Sequence, residues 1–522
     1  MPITEMLARN RRMFPGDTAL IEREPGAGGR REITWLEFDY IANKFANLLI
    51  AGGVLPGDRV VILLTNCLEW LPIYFGTLRS GALAVPLNFR FTAAEIKKCM
   101  KAAEAKVLVY GPEFIERIEA IWPEFQAQTR LIFLGGNGPA MAEDYERLLA
   151  AQPEHYPEVN ISDTDLAAIY FTSGTTGNPK PILLNHYNLV AACITENRHH
   201  LLTRKDVFLC IPPLYHTGAK MHWFGNLIVG AKGVILRGVS PRWVMEAVSE
   251  EQATVVWLLV PWAQDILDEI ESGEININDY NLEQWWLMHI GAQPVPPSLI
   301  HRWLKHFPAH KYDTNYGLSE STGPGCVHLG LENIHKVGAI GRPGFNWETK
   351  IVDEESRQVA QGEVGELLVR GPSVMQGYYN NPEATAEALR DGWLYTGDMA
   401  MEDEDGFIYL VDRKKDVVIS GGENIYPVEV EDFLQAHPDI KDVAVIGMPD
   451  VRLGELPLAV IEVKKGRELT EEQVLEFCRQ LPRYKRPRLI RFGEVPRNPT
   501  GKIEKPLLRE IYCGQSEALS RE

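Results

Sequence analysis

Over its first two-thirds this chain alternates short apolar runs with helical stretches, and that alternation confines it to parallel or mixed sheets with helices packed outside. Residues 59–64, 82–86 and 105–110 read as buried strands, with helices over 69–78 and 93–103 between them. Strand signals at 131–134, 206–211, 233–236 and 254–260 continue the series. From about Val337 the texture turns to short strands and glycine turns, at 337–344, 366–371 and 407–410, which predicts a β-barrel-like subdomain. A charge run, Arg413-Lys414-Lys415-Asp416, then breaks the apolar pattern. Beyond it, helices over 428–436 and 471–480 and strands at 443–447 and 458–463 make a small α+β unit. The expected fold class is α/β: a large N-terminal domain of sheets flanked by helices plus the β-barrel-like subdomain, a boundary near 412–416, and a small α+β C-terminal domain.

One strand-to-strand connection carries chemistry. Between apolar runs at 166–170 and 182–184 stands Phe171-Thr172-Ser173-Gly174-Thr175-Thr176-Gly177-Asn178-Pro179-Lys180. Glycines let the backbone turn several N–H groups toward one anion, and hydroxyls and an ammonium add donors. A polyphosphate suits such a concavity. The stretch is not a Walker A loop, which needs Gly-Lys-Ser/Thr opening a helix. Here Pro179 precedes the lysine, Pro181 follows it, and a strand comes next.

Composition bounds the partners. With 522 residues, 45% of them hydrophobic and 24% charged, the chain has an ordinary globular make-up and the length for more than one domain. A net charge of −18 argues against nucleic acid, which asks for a basic stripe, but not against a small anionic ligand, which asks only for a locally positive site. The stretch from Met1 to Asp17 lacks a signal-peptide apolar core, and no segment reaches the length of a membrane span, so no integral membrane segment is expected. The cysteines (Cys67, Cys99, Cys193, Cys210, Cys326, Cys478, Cys513) show no paired spacing, which predicts free thiols and a cytoplasmic location. Gly26-Ala27-Gly28-Gly29 lacks the strand-to-helix setting of a dinucleotide loop and reads as a surface turn.

Further motifs stand downstream: Gly291-Ala292-Gln293-Pro294, Asn315-Tyr316-Gly317-Leu318-Ser319-Glu320, Tyr395-Thr396-Gly397-Asp398, Asp412-Arg413-Lys414-Lys415-Asp416, and Pro496-Arg497-Asn498-Pro499-Thr500-Gly501-Lys502-Ile503. Together with the hydroxyl-rich stretch they resemble the adenylate-forming superfamily, which includes acyl-CoA synthetases, peptide-synthetase adenylation domains and firefly luciferase. The resemblance spans nearly the whole chain. The phosphate motif matches the family form up to Lys180 and departs at Pro181, where glycine is expected. A nucleophile elbow over Gly317 to Ser321 is discounted, because that motif needs glycine where Ser321 stands.

The resemblance implies an ATP-dependent carboxylate–CoA ligase working through an acyl-adenylate, with ATP, Mg²⁺ and coenzyme A and a small carboxylic acid as substrate. It assigns ATP to Thr172, Ser173, Gly174, Thr175, Thr176, Gly177 and Lys180, with Gly291, Ala292 and Gln293 along the adenine and acyl groups. Asn315, Tyr316, Gly317 and Ser319 belong to the same nucleotide site, the Tyr316 face stacking on adenine. Glu320 helps hold magnesium, which favours one or two carboxylates plus phosphate oxygens. Asp398 accepts from the ribose hydroxyls, and Arg413 is a second ribose or phosphate contact. Lys502 bridges the substrate carboxylate and the α-phosphate, offsetting their repulsion as charge develops.

Two steps at one site require movement, and the resemblance puts a hinge at Lys415. On this reading residues 1–412 form the ATP- and acyl-binding domain, 413–416 the hinge and 417–522 a mobile cap. Ser420, Gly421, Gly422 and Glu423 then line the path of the pantetheine arm. His216 matches a position beside the acyl pocket, holding the carboxylate or closing the thiol path. Thr217, Lys220, His222, Trp262, Ile290 and Asn315 are expected to border that pocket, with Trp262 shortening it and Lys220 either meeting a polar group or pointing outward. This favours a short- or medium-chain, alicyclic or aromatic acid. His199 and His200 are expected on a helix surface without metal-ligand context. A carrier-protein-loading adenylase, a luciferase-like oxygenase and a non-catalytic nucleotide-binding protein share parts of the pattern, and a homodimer is left open.

Overall fold

A computed structural model describes residues 1–172, 180–291, 295–323, 325–329, 331–497 and 503–513. Ser173, Gly174, Thr175, Thr176, Gly177, Ala292, Gln293 and Lys502, all named above, lie outside the described residues.

The alternation of apolar runs and helices resolves into two large sheets. One has eight strands, in which 59–63, 83–86, 107–110, 130–133 and 166–172 run parallel. The other has nine, with a parallel centre that includes Val207–Cys210, Val255–Leu259, Leu287–Gly291 and Lys311–Tyr316. Strands buried on both faces read as unbroken apolar runs, as Leu83–Pro86 and Val255–Leu259 do.

The apolar core shared with both sheets is built largely by the helices Trp35–Ala51, Trp70–Arg79, His186–His200 and Thr217–Val229. Trp35, Phe38, Phe75 and Trp223 form its aromatic centre. The outer face of the nine-stranded sheet is covered by Pro241–Glu251, Val260–Ser272 and Pro297–His306. Within the shared core, Arg79 is fully buried and its Nη2 donates to Asp39 Oδ1 at 2.6 Å, with Nη1 donating to Asn43 Oδ1 at 2.7 Å.

The expected β-barrel-like unit is a five-stranded antiparallel sheet, which carries Gly365–Arg370, Trp393–Glu402 and Ile408–Arg413. The C-terminal unit is a second five-stranded sheet, built on the long hairpin of Ile440–Asp450 with Gly454–Val463. It has its own apolar clusters on either face. Among the described residues no helix is long and apolar enough to cross a membrane. The cysteines are free thiols, all buried except the half-buried Cys513.

Candidate active site

The hydroxyl-rich stretch is closed at its base by antiparallel pairing of Thr172 with Lys180. Pro181 is tolerated because this strand borders a short partner: Pro181 pairs with Phe171, and its carbonyl accepts from Tyr379 N–H at 2.8 Å. The departure from the family form therefore leaves the strand intact. Lys180 Nζ lies over the ring of Tyr378, 5.1 Å from its centroid, and the Tyr378 hydroxyl donates to Glu320 Oε1 at 2.9 Å. A cation and a carboxylate from distant parts of the chain thus stand on two sides of one tyrosine.

Glu320 sits in a single helical turn, Ser319–Ser321, directly after the strand Lys311–Tyr316. The Tyr316 hydroxyl donates to Asp398 Oδ2 at 2.6 Å, and Arg413 Nε lies 3.2 Å from Asp398 Oδ1. Asp398 and Arg413 are direct partners across two antiparallel strands. Gly397, at φ +70, lets the chain turn just before Asp398 and donates its N–H to Glu366 Oε1. The Asp398 carboxylate raises the Arg413 pKa above the usual guanidinium range, so this arginine stays a cation.

Downstream, Ser420 pairs with Glu423 around Gly421 and Gly422, both at positive φ. That is the geometry of a two-residue hairpin turn. It is exposed, which suits a surface that meets a ligand. Lys415 is also exposed, between buried Asp412 and Asp416. Asp412 Oδ2 accepts from Val428 N–H at the start of the helix Pro427–Gln435, and Arg509 donates to Asp416 at 2.8 Å. Burial raises the Asp412 carboxyl to about 6. An antiparallel bridge joins Arg497 to Ile503, on either side of the stretch that holds Lys502.

The acyl side differs from expectation. His216 caps the helix Thr217–Val229, its Nδ1 accepting from Gly218 N–H, and buried Thr217 follows. Ile290 does not share this space: strand alternation sends it to the opposite face, into the outer core, while His289 faces inward. Trp262, half-buried at the start of Val260–Ser272, packs against that same outer core. The aromatic beside His216 is instead Trp257, with ring centroids 6.3 Å apart.

His200 corrects the sequence reading most. It is buried, not on a surface, and it does stand among metal-ligating residue types. Ligand atoms of Glu196, His200, His289 and Asp313 all lie within 4.8 Å of one another. His200 Nε2 contacts Asp313 Oδ2 at 2.5 Å, and His289 Nδ1 contacts the same oxygen. On the other ring edge, His200 Nδ1 lies 3.0 Å from Glu196 Oε1, which is 2.7 Å from His222 Nδ1. Asn315 Nδ2 donates to Glu196 Oε2 at 3.1 Å. Burial works against the His200 imidazolium, but Glu196 and Asp313 outweigh it and lift it to about 9. Burial drops His222 to about 4, so this ring is neutral. His199 is half-buried, its Nε2 accepting from Phe345 N–H.

Lys220 does not point outward. It is buried, with Nζ 4.3 Å from the Tyr170 centroid and no hydrogen-bond partner among the described residues. Burial drops its pKa to about 7. The folded value lies below the unfolded one, so stability rises with pH between them. Lys220→Met is accordingly expected to raise the melting temperature most at or below pH 7, the gain fading toward the ordinary lysine range. Thermal unfolding of both proteins near pH 7 and near pH 9 checks this, and a gain that does not shrink with pH contradicts it.

Glu196, His289, Asp313 and Trp257 escaped the sequence reading. The signals were the Glu196/His200 spacing of four on one helix and a polar residue inside each of two adjacent strands. His289 and Asp313 are in fact direct cross-strand partners.

This architecture and these motifs have counterparts. Residues 7–379 match the family model described as AMP-binding enzyme, and 429–502 match the AMP-binding enzyme C-terminal domain. A feruloyl-CoA synthase of an Amycolatopsis species is 34% identical over 508 residues, covering 97% of this chain and 98% of that protein. The long-chain-fatty-acid–CoA ligase FadD13 of Mycobacterium tuberculosis is 32% identical over 497 residues, 92% of this chain and 93% of that one. Among solved structures, the anthranilate CoA ligase AuaEII in complex with anthranoyl-AMP superposes with a TM-score of 0.88 at 26% identity, covering 99% and 98% of the two chains. The chain belongs to the AMP-binding enzyme family, and its class is that of the ATP-dependent carboxylate–CoA ligases.

Proposed function

We propose that this chain joins a short- or medium-chain, alicyclic or aromatic acid to coenzyme A, with the residues above in the roles the family resemblance assigns. The observation that carries the role assignment is the convergence of Lys180, Tyr378 and Glu320 with Tyr316, Asp398 and Arg413, from widely separated motifs. In the first step a carboxylate oxygen attacks the α-phosphorus of ATP, and pyrophosphate leaves. In the second the CoA sulfur attacks the acyl carbon, and AMP leaves with the carboxylate oxygen it gained.

Lys180 and the hydroxyl-rich stretch hold the β- and γ-phosphates. Asp398 takes the ribose hydroxyls; a carboxylate has about four lone-pair sites, enough to keep Tyr316 and Arg413 as well. Magnesium suits Glu320, since the ion binds through one or two carboxylates and otherwise through phosphate and water oxygens. When bound it neutralises phosphate charge. Lys502, carried by the cap, faces the two anions as they meet, and His216 stands at the acyl mouth.

The cap then turns about Lys415, bringing the Ser420–Glu423 hairpin to the pantetheine arm. Asp412 stays with the N-terminal domain through its pairing with Met399, and Asp416, tied to Arg509, moves with the cap, which leaves the residues between them to take up the rotation. Lys415→Pro fixes φ at that pivot and restrains Lys414 as well. Adenylation is expected to stay within about threefold of wild type, while thioester formation falls by roughly a hundredfold or more. Single-turnover assays of each half-reaction decide it; equal losses would show that no rotation at Lys415 separates the steps. Residence in the cytoplasm and pairing as a homodimer are part of the same proposal, and sedimentation of the purified chain tests the second.

A further inference from the structure

We propose that the acid this enzyme selects is compact and carries a hydrogen-bond donor at its far end, a hydroxyl above all, held by the Trp257 indole N–H and by bare imidazole nitrogens of His222 and His289. This rests on the ligase reading and narrows its substrate.

The three rings form one buried group. Centroid separations are 4.9 Å for His222–Trp257, 4.1 Å for His222–His289 and 5.7 Å for Trp257–His289. Trp257 Nε1, His222 Nε2 and His289 Nε2 are all buried without a hydrogen-bond partner among the described residues. Each such group costs about 1–3 kcal/mol when left unsatisfied. Three in one place mark a surface shaped for a polar ligand.

The carboxylates behind the rings set the polarity. An ionised carboxylate only accepts, so the Nδ1 atoms facing Glu196 and Asp313 carry protons, which leaves the Nε2 atoms on the far ring edges for a ligand, that of the neutral His222 ring as an acceptor. His200, wedged between both carboxylates, keeps them ionised. The subsite therefore offers the His222 acceptor and the Trp257 donor, with the His289 Nε2 edge beside them.

Its position follows from Gly291. A Cβ added there would find His289 Nε2 at 3.8 Å, Trp257 Nε1 at 3.9 Å and Thr314 Oγ1 at 4.0 Å as its nearest contacts among the described residues outside its chain neighbours. Three polar atoms thus converge at van der Waals distance on the last residue before the turn the family uses along nucleotide and acyl group. The distance available is short. The Trp257 indole lies against Gly218, and its ring packs beside that of His216 at the mouth, with centroids 6.3 Å apart, so mouth and subsite are neighbours and the acid between them is compact.

A hydroxyl both accepts from the indole and donates to an imidazole. An amine supplies only the donor, a methyl ether only the acceptor, and a hydrocarbon neither. A second carboxylate would face Glu196 and Asp313 with like charge. The same cluster has ligand types for a cation, but His200 meets its two carboxylates from opposite ring edges, which makes a chain rather than a converging shell.

The test uses the purified full chain with ATP and coenzyme A, and measures kcat/KM for AMP formation. The acids are matched sets on a benzoate and a butyrate skeleton, carrying hydrogen, hydroxyl, amino or methoxy at the far end. We expect the hydroxy acid to exceed its unsubstituted partner by about tenfold or more on the skeleton that fits, with the methyl ether near the unsubstituted acid. An amino acid analogue that outruns the hydroxy acid also supports a donor subsite and assigns it to the imidazoles alone. Trp257→Phe is expected to shrink the ratio of hydroxy acid to unsubstituted acid about fivefold or more. Should that variant not fold, the wild-type ratios decide. Unsubstituted acids that are best on both skeletons, or one tightly bound zinc per chain by elemental analysis, would overturn the proposal with the ligase reading intact. AMP formation from none of these acids, nor from any straight-chain acid from short to long, would overturn both.

Discussion

Replacing Lys502 with alanine is expected to cut acyl-adenylate formation by roughly a hundredfold or more, on the order of 3 kcal/mol of lost electrostatic stabilisation. The reason is local. A carboxylate and a triphosphate must meet, and of the cations in the motifs only Lys502 is assigned to the point between them. Thioester formation from supplied acyl-adenylate and coenzyme A is expected to persist near the wild-type rate, because the proposed rotation of the cap would by then withdraw this side chain. Acid-dependent pyrophosphate release measures the first step, and thioester absorbance with synthetic acyl-adenylate measures the second. A variant that loses both steps equally would place Lys502 in folding or general binding rather than in adenylation.

Asp313→Ala is expected to produce the largest loss of stability, about 3–5 kcal/mol, which is the usual cost of removing one partner from a buried ionic cluster. The oxygen lost is shared by His200 and His289, and the His200 charge would be left in the core with Glu196 alone. Urea unfolding reads the change, and Asp313→Asn, which keeps an acceptor, is expected to lose less. The pH dependence separates charge from packing. His200 has a folded value near 9, above its ordinary 6.5, so its contribution is full below pH 6.5 and is lost as pH rises through 9. The gap between wild type and Asp313→Ala should narrow across that window. Lys220 has the opposite slope in both proteins and cancels in the comparison. A gap independent of pH would make Asp313 a packing residue.

The alternating apolar runs were enough to read the α/β architecture, because strands such as Leu83–Pro86 are buried on both faces and show no polar residue. Thr396-Gly397-Asp398 was equally legible, since its glycine does locally what the motif requires. The histidine cluster was not. Its members come from a helix ending at His200, a helix beginning at Thr217 and two strands, and only tertiary packing brings them within reach. His199 and His200 lack metal-ligand context in the sequence and so suggest a helix surface, yet one residue turns a side chain about 100° around the helix axis, which takes His200 into the core. Ile290 was misplaced for a related reason: in a strand, one residue's shift exchanges faces, so His289 rather than Ile290 looks inward.

The central claim is that the acid becomes an acyl-adenylate before sulfur displaces AMP. It is tested most directly by running the full reaction with an acid the enzyme turns over, labelled with ¹⁸O in its carboxylate, and weighing the nucleotide product by mass spectrometry. One labelled oxygen in AMP is the predicted result. Label in orthophosphate with ADP as the product, or unlabelled AMP alongside the thioester, would contradict the account.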